Sequence, residues 1–218
     1  DYEENLPSGY QLSYTGENEE QQESFSFLTV VLLVGVSLIF MIMVAQFNST
    51  LTPAVIIIAV VLSLIGVFLG LVAFQMDFVI IMTMIGIISL AGVIVNNAIV
   101  LIDYTNLIMV RKQRELGLKE GEKLPLPVII ESISEGGQTR LRPVLLTAIT
   151  TVLGLVPLAI GLNIDFVGLF TKFDPAIYMC GDNVIFFGPM SWAIIFGLTF
   201  ATFLTLVIVP VMYAILNK

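Results

Sequence analysis

Two polar interruptions in otherwise apolar stretches carry the chemistry of this sequence: Asn96-Asn97 in the middle of one stretch, and Arg140 with Arg142 at the head of the next. Such side chains are expensive inside a bilayer, and where they occur they mark routes for ions or protons. Ser89, Gly92, Asn96, Asp103 and Asn106 are spaced by three, four, seven and three residues, which puts them on one face of a helix. Arg140, Thr147, Thr151 and Gly154 follow at seven, four and three and form a second polar, small-residue stripe. Two such faces are expected to meet each other or a third helix. A plainer reading stands beside this one, because small residues with Asn or Thr are ordinary glue between membrane helices, at about 0.6 to 2 kcal/mol each. For Thr151, Gly154 and the Gly66 to Gly70 pair that plainer reading is preferred. An arginine deep in a span costs roughly 2.5 to 3.5 kcal/mol, whereas one near a helix end can reach the surface along its aliphatic stem. Arg142 is assigned to the surface, and Arg140 is left open between the two roles. Asp103 is either a titrating carboxylate or the ion-pair partner of Arg140, with the ion pair preferred.

The elements that must hold these residues follow from composition. With 57% hydrophobic and only 12% charged residues, the chain is an integral membrane protein. A hydrocarbon core of roughly 30 Å takes about 20 apolar residues in a helix, and five stretches qualify: about 25–46, 51–74, 77–105, 140–161 and 189–216. The expected fold is all-α, a membrane half-bundle of five transmembrane helices. Strands of a membrane barrel would instead alternate over about ten residues.

Arg111, Lys112, Arg114, Lys119, Lys123, Arg140 and Arg142 fall in or beside the third connection, 106–139, and Lys218 ends the chain. That connection and the C-terminus are expected on the cytoplasmic side. Residues 1–24 hold seven acidic residues and no Lys or Arg, which suits the opposite side and an odd number of crossings. The chain begins with Asp1 and has no basic segment leading into a signal-peptide core, so it reads as a fragment. Tyr10, Leu12 and Tyr14 alternate with Gln11, Ser13 and Thr15 as in a half-buried strand, whose sheet would belong to an exterior domain upstream. The acidic run after Gly16 reads as a helix start that continues into the first span.

Within the 106–139 connection, Val128 to Ser134 is expected to form a short interfacial helix, with Pro125, Pro127 and Gly136-Gly137 as punctuation. The outer loop 162–188, with Phe166, Phe170, Phe173, Tyr178, Phe186 and Phe187, and Trp192 just beyond, suits an aromatic belt at the headgroups. With no His and the single Cys180, neither a disulfide nor a zinc or haem site is expected. No strand with a phosphate-cradling glycine loop is present either, so no cofactor, nucleotide or nucleic acid is expected to bind.

GVIVNNAIVLIDYTN, from Gly92 to Asn106, followed by RLRPVLLTAITTVLGLVPLAIG, from Arg140 to Gly161, resembles the C-terminal half of the resistance-nodulation-division efflux transporters, in their hydrophobe and amphiphile exporter branch. LPSGYQLSYTGENEEQQESF is similar to the end of the periplasmic porter domain, and the closing span with Pro210 to the final helix. The resemblance covers nearly the whole chain and makes these spans eight to twelve of twelve, with residues 1–24 the end of the porter domain. It implies a homotrimer in the bacterial inner membrane, with a periplasmic N-terminus and a cytoplasmic C-terminus. Such a pump exports hydrophobic or amphiphilic compounds against a flow of protons and can work with a periplasmic adaptor and an outer-membrane channel.

By position, Arg140 and Thr147 fall on the family's relay positions in the eleventh helix, and Asn96 falls where well-studied members have a Lys. The proton-carrying Asp residues lie on the fourth helix, in the N-terminal half that this chain lacks. The resemblance therefore implies a relay in which Arg140 supplies charge while Asn96, with Asn97, orients the site by hydrogen bonds. Alternatives remain: an exporter of lipids, metals or proteins in the same superfamily, a channel without proton coupling, and a membrane scaffold.

Overall fold

The structure, a computed structural model, describes residues 16–118, 124–163, 177–181 and 183–216. The strand expected over Gly9 to Thr15 lies outside the described residues, as do Phe166, Phe170 and Phe173. Among the described residues the fold is all-helical: α1 (Glu17–Phe47), α2 (Leu51–Ala73), α3 (Ile80–Glu115), α4 (Leu126–Ile160) and α5 (Asn183–Leu216). All five are long and apolar enough to cross a membrane. The β-pairing described is a single bridge between Asn163 and Tyr178, with N–O distances of 2.9 and 3.2 Å.

Helices α3, α4 and α5 outrun the spans expected of them, and for α3 and α4 the reason lies in packing. At 36 residues α3 is about 54 Å long, well beyond a hydrocarbon core. Its last third was expected to be loop, yet Thr105, Ile108 and Met109 are buried there. They pack on Ile129, Ser132, Ile133 and Gly136, which recur at helical spacing at the start of α4 and are buried too. The short interfacial helix expected at Val128 to Ser134 is therefore the first part of one helix running to Ile160. Gly136-Gly137 does not break it. A Cβ on Gly136 would stand 2.6 Å from Thr105 Oγ1, so the missing side chain is what lets α3 and α4 approach. Pro143 lies inside the same helix, and Pro189 inside α5, which starts at Asn183 rather than 189.

Helix ends follow known stop signals. Gly117, at φ 68, sends its N–H to Arg114 O at 3.1 Å, and Leu118 N–H reaches Gln113 O at 3.1 Å, a left-handed glycine cap that closes α3. Lys112 and Arg114 sit in that last turn, where cations suit the negative end of the helix dipole. Pro53 lies in the first turn of α2, where its missing N–H removes no intrahelical hydrogen bond.

The core forms around α5. Gly66 and Gly70 of α2 lie directly beneath Phe200 and Phe196 of α5, so the α2–α5 contact is a pair of aromatic rings seated on bare backbone. Leu90, Ile94, Ala148, Ala193 and Leu198 join α3, α4 and α5 in one buried cluster. Met43, Ile56, Ile102, Met109, Ile133 and Tyr213 form a second, nearer the Lys112 end. Trp192 donates from Nε1 to Ala159 O at 3.1 Å and stacks with Phe74 and Phe196. This ring expected in an aromatic belt therefore ties α4 to α5 from within the bundle. By contrast α1 leaves Phe27, Leu33, Met41 and Ile42 largely exposed.

Candidate functional site

Helix α4 runs antiparallel to α3. Gly136 meets Thr105 near the closed end of the hairpin, whereas Ala148 packs with Leu90 and Ile94 farther along. Arg140 and Thr147 are seven residues apart on α4, about 10 Å, and Tyr104 and Asn96 are eight apart on α3, about 12 Å. The two polar stripes therefore run side by side for about two turns of each helix.

Arg140 is half-buried and lies over the Tyr104 ring, with its Cζ 4.3 Å from the ring centroid. That is well inside the range of a cation–π contact. Its Nε is buried and has no hydrogen-bond partner. The ion pair expected with Asp103 is absent among the described residues, where Asp103 is exposed and Lys112 makes the ion pairs. Helix geometry accounts for the correction, because successive side chains diverge by about 100° and an arginine stacked on Tyr104 is turned away from its neighbour.

Asn96 is exposed, and so are Ser89 and Gly92 on the same stripe. Asn97 points the other way and is 8% exposed, inside the bundle. The adjacent amides thus do different things: Asn96 faces outward and Asn97 inward. Neither touches Arg140. Thr147 is exposed and gives its hydroxyl to Val144 O at 2.9 Å, while Thr151 gives its own to Thr147 O at 2.8 Å. A Cβ added at Gly92 or Gly154 would meet nothing within 4 Å, in sharp contrast to Gly66 and Gly70. The plainer reading therefore holds for Gly66 and Gly70, whereas Gly154 and Thr151 glue no described helix. The polar faces do not close on each other. They form an open strip carrying one guanidinium, one carboxylate, one carboxamide and a run of hydroxyls.

Two contacts were not foreseen. Tyr213 of α5 donates its hydroxyl to Asn106 Oδ1, which draws Asn106 off the polar strip toward the core. The Tyr104 stack on Arg140 is the other. No spacing rule links residues 36 positions apart on two helices, so the sequence carried no signal for it beyond an aromatic next to Asp103. At the basic end, Lys112 Nζ lies 2.9 Å from Glu131 and 3.4 Å from Glu135, joining the projecting ends of α3 and α4. The hydrogen bond that Lys112 donates to Glu131 is the main reason that its ammonium is held above its ordinary 10.5. On the alkaline side the pairing is present at neutral pH and is lost as pH rises through the raised pKa of Lys112.

Comparison with known proteins bears on this site. The family described as AcrB/AcrD/AcrF matches residues 1–163, a stretch that contains both polar stripes. The swarming motility protein SwrC of Bacillus subtilis is 33% identical over 97% of this chain and 17% of its own length. The cobalt-zinc-cadmium resistance protein CzcA of Cupriavidus metallidurans is 29% identical over 98% of this chain and 17% of its own. The multidrug export protein AcrF of Escherichia coli is 23% identical over 98% of this chain and 18% of its own. A crystal structure of a heavy metal efflux pump superposes with a TM-score of 0.69 at 27% identity, covering 96% of this chain and 17% of that one. The chain thus spans less than a fifth of the length of the relatives it matches.

Proposed function

The chain belongs to the AcrB/AcrD/AcrF family of resistance-nodulation-division transporters, and on that premise we propose that it forms part of the membrane domain of a proton-driven exporter, with Arg140 as its coupling charge. One observation carries this reading: the open strip of α3 and α4 holds a half-buried arginine whose Nε is desolvated and unpartnered. A buried donor left in that state is costly. An acid supplied from another part of the transporter would engage the outer Nη nitrogens, which, unlike Nε, are not buried.

The switch is then electrostatic. While that acid is charged, it attracts Arg140, whereas the Asn96 amide and, after rotation, the Thr147 hydroxyl, about two turns farther along the strip, offer it hydrogen bonds once it has moved. Protonation removes the attraction and lets the supplying helix move along the strip. Gly92 and Gly154 leave room for close approach of such a helix. Asp103, exposed beyond Asn96 and toward the basic end, is a second carboxylate on the same strip and serves as a proton exit. Each proton crossing supplies about 2.3 kcal/mol per 100 mV of membrane potential. In this reading the protein is a homotrimer of the bacterial inner membrane with the basic end of α3 and α4 in the cytoplasm, and an adaptor and outer-membrane channel complete the route.

The substrates proposed are hydrophobic or amphiphilic compounds. A metal cargo is the second reading, favoured by the similarity to CzcA and to the heavy metal efflux pump. Against it, Met43, Met84 and Met109 are buried in the packing between helices and line no path. The test is Arg140→Ala in the intact transporter: export should cease while assembly stays normal. Export retained at the normal rate would remove Arg140 from the coupling.

A further inference from the structure

We propose that Tyr104 is the positioning residue for Arg140, and that its aromatic face, not its hydroxyl, sets the pH at which the transporter switches; this rests on the reading of Arg140 as the coupling charge. The guanidinium lies 4.3 Å from the ring centroid, so the negative face of the ring holds the cation. A guanidinium held over a ring face still has N–H groups with which to engage a carboxylate in two parallel hydrogen bonds. The Nη nitrogens, which unlike Nε are not buried, are the part of the guanidinium open to a partner. The phenol hydroxyl makes no hydrogen bond to any described residue, which leaves the ring as the working part of Tyr104.

The backbone that carries the Tyr104 ring is fixed by packing. Its chain neighbour Thr105 is 4% exposed, gives its hydroxyl to Leu101 O at 2.8 Å and faces the bare backbone of Gly136. Arg140 is one turn of α4 beyond Gly136, so the tight crossing of the helices fixes the height at which guanidinium and ring meet. Positioning of this kind restricts a long, rotamer-rich side chain to one arrangement before its partner arrives. Its loss should weaken the attraction of Arg140 for an acid by roughly 3- to 30-fold. A weaker cation lets the acid take up its proton at higher pH, so the midpoint of transport should rise by about 0.5 to 1.5 pH units.

The experiment uses the intact transporter in lipid nanodiscs and proteoliposomes, with Tyr104→Leu, Tyr104→Phe and Arg140→Ala. Two quantities are read: the pH profile of export, and the Arg140 Nε–H resonance in protein labelled with ¹⁵N-arginine, which a stacked ring displaces. Tyr104→Leu should move the resonance and raise the pH midpoint, and Tyr104→Phe should leave both as in the parent. Should Tyr104→Leu fail to assemble, Tyr104→Trp, which keeps an aromatic face, is compared with Tyr104→Met, which does not. A Phe variant that behaves like Leu would overturn the proposal by making the hydroxyl the working group. So would a Leu variant with unchanged resonance and pH profile, while an inactive Arg140→Ala would leave the coupling reading standing. A resonance that responds to Tyr104→Leu in a transporter that works normally without Arg140 would sink the coupling reading and the positioning role together, leaving a contact with no part in transport.

Discussion

A charged side chain in a membrane helix must be compensated, and Arg140 is compensated only in part by this chain. An arginine at the centre of a span costs roughly 2.5 to 3.5 kcal/mol and one nearer the end less, and a desolvated contact with the Tyr104 ring offsets about 2 kcal/mol of it. The unpaired Nε is the visible remainder. Asn96 and Asn97 are a useful control, since they are adjacent and chemically identical yet face opposite ways. Asn96→Leu should leave thermal stability in detergent within about 0.5 kcal/mol, as for other exposed positions, while lowering proton-driven export. Asn97→Leu should act chiefly on stability, because that side chain is packed inside the bundle. Thermal melts and transport assays on the two variants separate the roles, and equal effects on export would remove Asn96 from the relay. The residue types at this site were legible from their cost in lipid. Their pairing was not: Asp103 was the expected partner of Arg140, and only three-dimensional packing shows that the neighbouring ring takes its place.

Glycines sort the helices into faces that are already occupied and faces that are not. Gly66 and Gly70 carry Phe200 and Phe196 on their backbone, so leucine at either should force the α2–α5 contact apart at about 1 to 3 kcal/mol, read as a lower melting temperature. Gly92 and Gly154 have open space where a side chain would go. Leucine there should leave the melting temperature of the five-helix unit unchanged and yet impair export, because another helix must lie against that strip. Normal export from the Gly92→Leu and Gly154→Leu variants would instead turn the strip toward lipid. Span number was readable from length and hydrophobicity, since about 20 apolar residues is a strong signal. The projecting ends of α3 and α4 were not. Gly136-Gly137 and Pro143 look like helix breakers, but the buried series Ile129, Ser132, Ile133 and Gly136 packs on α3 and overrides them. A proline or glycine stops a helix only when no neighbour rewards its continuation.

Across the whole molecule the polar and apolar surfaces divide the work. The bundle packs its apolar faces around α5, leaves α1 with a mostly apolar exposed surface, and keeps one polar strip open on α3 and α4. In the proposed reading the arginine on that strip is the coupling charge of a proton-driven exporter, a role that a scaffold or passive channel would not require. The relatives include a metal-resistance protein and a multidrug exporter, so the proposed transport role leaves the cargo open. The most direct test is proton movement itself, followed by a pH-sensitive dye trapped in proteoliposomes that contain the intact transporter. With an imposed proton gradient, adding substrate should speed proton flow in the parent and leave it unchanged in Arg140→Ala. Substrate transport that continues with the gradient abolished, or substrate-dependent proton flow that survives the loss of Arg140, would contradict the account.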